Sequence, residues 1–64
     1  MVKINGEWED AAGKTIAEYL SGTSYDVRRI AVEKGGEIVP KCAYDATTLM
    51  DGDVVEIVSF VGGG

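Results

Sequence analysis

The chain has 64 residues and a formal charge of −5, from six lysines and arginines against eleven aspartates and glutamates, with no histidine and one cysteine. A chain this short buries only about 60% of its unfolded surface, so it makes one domain with little room for an enclosed active site. The acidic balance excludes nonspecific nucleic-acid binding, which needs a basic face to displace counterions from phosphates, and suits contact with basic surfaces on other proteins.

Compartment follows from the same inventory. No apolar run approaches the ~20 residues that cross a bilayer, and the opening "MVKINGEWED" goes straight into a strand pattern rather than a secretory leader. Cys42 has no partner for an internal disulfide. The reading is therefore a cytoplasmic protein, without membrane or nucleic-acid partners, whose core holds without a covalent staple.

In chain order, Val2 and Ile4 alternate with Lys3 as a short strand with one apolar face. Asn5-Gly6 suits a type I′ turn, whose central residues both need positive φ, and Glu7 to Asp10 then return with Trp8 as their one large apolar residue. The period changes in "AAGKTIAEYLSG". Thr15 caps a helix, Glu18 completes a capping box, and Ile16 and Leu20 share a face flanked by Ala17 and Tyr19. Gly22 is placed to stop the helix in the left-handed conformation. After the polar link "TSYDVRR", Ile30 and Val32 point one way and Ala31 and Glu33 the other. Gly35-Gly36 marks a second hairpin, returning through "EIVP", where Pro40 ends the strand or sets it at a sheet edge. "KCAYDATTLM" reads as a loop with a short helical turn, with Leu49 as its core contact. The turn "MDGD" leads into "VVEIVSFV", the longest apolar run.

The fold expected is α+β: a mixed sheet of four to five strands with one main helix of two to three turns packed on one face. Its most apolar strand, the last, belongs at the centre. The core is expected from Val2, Ile4, Ile16, Leu20, Ile30, Val32, Leu49, Val55 and Ile57. Alternation then puts Val54, Val58 and Phe60 on the sheet's other face, which nothing in so short a chain is left to cover.

Catalytic chemistry is sparse. Without histidine there is no Ser/His or Cys/His pair, and one cysteine makes no zinc site of the usual ligand sets. Asp51, Asp53 and Glu56 lack the further ligands of a calcium loop and are better explained by an Asp-Gly turn, so no metal site is expected. Cys42 reads as an incidental thiol. The chain is not expected to be an enzyme, nor to bind a cofactor of its own.

The closing "SFVGGG" suggests a different use. Residues 1–61 read as the folded domain and 62–64 as a flexible glycine tail. Gly62, Gly63 and Gly64 carry no side chains, so such a tail fits a channel one backbone wide and takes the conformation an active site imposes. The carboxylate of Gly64 is then a reactive group on a tether. Val54, Val58, Phe60, Val61 and Gly62 would form the surface by which an enzyme grips the body while Gly63 and Gly64 reach its catalytic centre.

The motifs "INGE", "TIAEYL", "IAVE", "EIVP" and "DGDVVEIVSFVGGG", in this order, resemble the ThiS family of sulfur carriers in thiamine biosynthesis, and the likeness runs from end to end. The resemblance implies a ubiquitin-like β-grasp fold, with the final strand central and parallel to the first. It also implies that a ThiF-like adenylating enzyme uses ATP and magnesium to activate the Gly64 carboxylate as an acyl-adenylate. Sulfur drawn from cysteine by a cysteine desulfurase then displaces AMP to leave a thiocarboxylate, and a ThiG-like thiazole synthase consumes that sulfur. The family's terminal diglycine falls on Gly63 and Gly64. Gly62 lengthens the unhindered tether by one position.

Other readings share the tail. The small subunit of molybdopterin synthase has the same fold and terminus, but tends to carry a proline pair where this chain has "VSFV". A ubiquitin-like modifier would use the glycines for isopeptide bonds, and a plain interaction module would not use them at all.

Overall fold

The computed structural model of the protein describes residues 1–60. The expectations for Val61, Gly62, Gly63 and Gly64 lie outside the described residues.

Strands β1 (Val2–Ile4) and β2 (Glu7–Glu9) form the first hairpin, with Lys3 opposite Trp8. Its turn has φ of 50° at Asn5 and 86° at Gly6, the left-handed pair that this dipeptide tolerates. Helix α1 spans Ile16–Ser21. Its capping box is complete: the Glu18 N–H donates to Thr15 Oγ1 at 3.1 Å and the Thr15 N–H to Glu18 Oε1 at 2.8 Å.

The helix corrects the sequence reading twice. It is six residues long, short of two to three turns. Gly22 has φ of −91°, not left-handed. The cause is local: the Gly22 and Thr23 N–H groups turn back to the Tyr19 and Leu20 carbonyls at 3.2 and 3.0 Å, and the Ser21 and Thr23 hydroxyls donate to the Glu18 and Leu20 carbonyls, each at 2.7 Å. The end carbonyls are satisfied by a tightened turn and two hydroxyls, so no left-handed cap is required.

A single 3₁₀ turn, Val27–Arg29, precedes β3 (Ile30–Lys34), which pairs antiparallel with β4 (Glu37–Val39) across Gly35-Gly36. Pro40 lies just past β4, at the sheet edge. A second 3₁₀ turn, Lys41–Ala43, opens the irregular segment, and β5 (Val54–Ser59) completes a sheet ordered β2-β1-β5-β3-β4. The last strand is central, parallel to β1 and antiparallel to β3.

All nine expected core residues are buried, and Ala11 and Tyr44 join them. The irregular segment is tied down by backbone. The Ile16 N–H donates to the Thr47 carbonyl, the Gly13 N–H to that of Leu49, and the Leu49 N–H to that of Lys14. These bonds fold residues 41–50 against the helix start and bring Leu49 and Tyr44 under it.

Candidate functional site

The helix and the irregular segment cover one face of the sheet. The other face is open, and strand register decides which side chains share it. Val54, Val58 and Phe60 are 50%, 55% and 57% exposed there. Phe60 continues the ladder past β5, its N–H donating to the Arg29 carbonyl at 2.7 Å. Its side chain is more than half exposed, whereas Tyr44 is buried in the core.

Register adds residues that the sequence reading did not assign to this surface. Trp8 stands opposite Lys3 on the hairpin, and Ile38 opposite Glu33 on the far edge; both are exposed. Alternation within each strand contained the signal, but which strands adjoin could not be read from it. The open face is thus a band with Trp8 and Ile38 at its edges and Val54, Val58 and Phe60 along its central strand. Such a concentration of exposed apolar side chains on so small a protein makes this face the candidate surface for another macromolecule.

The charges around the band are arranged. Lys3 Nζ lies over the Trp8 ring, 5.8 Å from its centroid. Asp26 caps the first 3₁₀ turn and pairs with both Arg28 and Arg29; its hydrogen bonds from Arg28 hold its carboxyl below the usual range. Asp53 accepts from the Met50 N–H and pairs with Lys34 Nζ at 3.5 Å, while Asp51 pairs with the chain's amino terminus. The two aspartates therefore serve the "MDGD" turn, and no group of three or more ligand-type side chains able to hold a metal ion occurs among the described residues.

Asn5 fastens the central strand. β1 pairs with β5 only through Lys3–Val54 and Ile4–Val55, so β5 outruns its neighbour. Beyond that point the Asn5 side chain replaces a strand: Oδ1 accepts from the Ile57 N–H at 2.7 Å, and Nδ2 donates to the Ile57 carbonyl at 3.3 Å and to the Tyr25 hydroxyl at 3.2 Å. The half of β5 that leads to Phe60 is thereby held on both sides.

On the helix side, Ala17, Leu20, Tyr25, Val27, Lys41 and Tyr44 help line a groove of about 390 Å³. Cys42, next to it in sequence, is an exposed free thiol. No helix among the described residues is long and apolar enough to cross a membrane.

Residues 1–64 match the ThiS family. The sulfur carrier protein ThiS of Bacillus subtilis is 39% identical over 67 residues, covering all of both chains. A thiazole synthase of Paramagnetospirillum magneticum is 45% identical over 62 residues; the match takes in 95% of this chain but only 19% of that protein, so the chain spans under a fifth of its length. The crystal structure of the thiamine biosynthesis protein ThiS from Geobacter metallireducens superimposes with a TM-score of 0.78 at 36% identity, covering 98% of this chain and 97% of that one.

Proposed function

The chain belongs to the ThiS family, and on that footing we propose that it is a sulfur carrier of thiamine biosynthesis, acting as the substrate of partner enzymes rather than as an enzyme. The observation that carries this reading is the end-to-end match to a sulfur carrier of the same family. The chemistry is assigned to the Gly64 carboxylate. A carboxylate is a poor electrophile. Its attack on the α-phosphorus of ATP, with release of pyrophosphate in the site of a ThiF-like enzyme that uses magnesium, makes an acyl-adenylate. The outer sulfur of a persulfide, formed from cysteine by a desulfurase, adds to the acyl carbon and expels AMP to give an acyl disulfide, whose S–S bond a thiol then cleaves, leaving the thiocarboxylate and a new disulfide.

The consumer proposed is a ThiG-like thiazole synthase. The relative of that name, in which a segment like this chain is part of a much longer protein, supports it. The open face, with Val54, Val58 and Phe60, is the proposed grip for these partners, and Gly63 with Gly64 the part that enters their sites. An acidic protein of this family with a bare apolar face is suited to cytoplasmic exchange between enzymes.

Intact-mass spectrometry tests the reading. Incubated with the adenylating enzyme of the same organism, ATP, magnesium and a sulfur donor, the chain should gain the mass by which a sulfur atom exceeds an oxygen atom. A chain lacking Gly63 and Gly64 should gain nothing. An unchanged mass for the full chain, with an enzyme shown to form adenylate, would refute the carrier assignment.

A further inference from the structure

The open face carries a feature that its apolar character does not explain. Glu33 and Glu56 are direct cross-strand partners in the register of β3 and β5. Directly opposite residues lie on the same side of a sheet with Cβ atoms about 5 Å apart, and like charges so placed are destabilising. Glu56 lies between Val54 and Val58 on the central strand, and Ile38 stands beside Glu33 on the next. Two carboxylates thus occupy the middle of the apolar band. Among the described residues neither takes part in a salt bridge or a side-chain hydrogen bond. The nearby cations are engaged elsewhere: Lys3 over Trp8, Arg29 with Asp26 and Lys34 with Asp53.

We infer that this pair receives a guanidinium from the docked partner, an arginine projecting from an otherwise apolar surface. The inference rests on the docking role proposed above for this face. Charge complementarity selects the occupant. A second copy of the chain would bring another net charge of −5 and a second pair of glutamates against the first. A purely apolar partner would strip water from two unpaired carboxylates. An arginine satisfies both with its planar fork of donors, and its weakly hydrated face packs on aliphatic neighbours such as Val54, Val58 and Ile38. The pair then determines specificity: apolar side chains give contact area, and the two carboxylates reject any partner that lacks the cation.

The experiment is isothermal titration of the cognate thiazole synthase with the intact chain and with Glu33→Gln, Glu56→Gln and Val58→Ser, at low and high salt. The glutamine variants should each bind at least about tenfold more weakly at low salt and lose most of the salt dependence. Val58→Ser should weaken binding but keep the salt dependence. The isolated glutamine variants should unfold at higher denaturant concentration than the intact chain, because a repulsion has been removed. A merely structural role would not couple a more stable protein to a weaker complex. If Val58→Ser weakens binding and the glutamine variants do not, the acid pair is not the recognition element, and the docking and carrier readings stand without it. If the intact chain sediments as a dimer that Val58→Ser dissociates, the occupant is a second copy and the inference is overturned.

Discussion

Replacing Asn5 tests how the tail-bearing strand is held. Asn5 performs two separable tasks: it occupies a left-handed backbone position at φ of 50°, and its amide satisfies the Ile57 N–H and carbonyl where β1 has ended. Asn5→Gly keeps the backbone conformation and removes the amide. A part-buried N–H that loses its acceptor costs about 1–3 kcal/mol. Asn5 already carries a Cβ in the left-handed region, so Asn5→Gly also relieves about 1–2 kcal/mol of strain, whereas Asn5→Ala removes the amide and keeps the Cβ there. Total stability for a domain of this size is about 3–10 kcal/mol at roughly 0.05–0.15 kcal/mol per residue, so loss of the amide's bonds is a large fraction. Urea unfolding followed by far-ultraviolet circular dichroism gives the two differences directly. The order expected is wild type, then Asn5→Gly, then Asn5→Ala. Amide hydrogen exchange should show the Ile57 N–H losing protection in both variants. If Asn5→Ala, which keeps the Cβ, unfolds within about 0.5 kcal/mol of wild type, below the range for an orphaned N–H, the strand is held by β3 alone and the clamp is not a real contribution.

Two further substitutions probe other contacts. Burial, and then the hydrogen bond that Tyr19 donates to Glu9 at 3.0 Å, push the Tyr19 phenol from 10.0 up to about 12. Its contribution to stability is complete below pH 10, where both folded and unfolded forms keep the proton, and is lost as pH rises to about 12, because the unfolded chain ionises first. Melting temperature should therefore fall between these limits, less steeply in Tyr19→Phe, and identical slopes would refute the assignment. Thr15→Ala breaks the capping box and should cost about 1 kcal/mol by urea unfolding, a cost that Thr15→Ser should largely restore; equal stability of all three would show that α1 does not depend on its cap.

Much of the molecule follows from local rules acting on the sequence. Asn5-Gly6 and Gly35-Gly36 bend two hairpins because few other dipeptides accept two consecutive left-handed residues, and both are found where the turns occur. Thr15 and Glu18 lie three apart and cap α1 by themselves. Alternation in "VVEIVSF" divides buried Val55 and Ile57 from exposed Val54, Val58 and Phe60 with no knowledge of neighbours. Even the helix end is a local outcome, misread only because the Ser21 and Thr23 hydroxyls displaced the glycine cap that the sequence suggested.

What tertiary structure decided is which distant segments meet. Residues 41–50 have no period, and Tyr44 became a core residue only because backbone bonds to the helix start fold that segment beneath it. The Asn5 amide reaches a backbone group 52 positions away. Glu33 and Glu56 are unremarkable acids in the sequence and become a repelling pair only when β5 inserts between β1 and β3. Side-chain periodicity is a property of a single strand and records which way each residue points. Register is a property of two strands and arises from the collapse of the whole chain around one core, so the chemistry that depends on it belongs to the folded molecule.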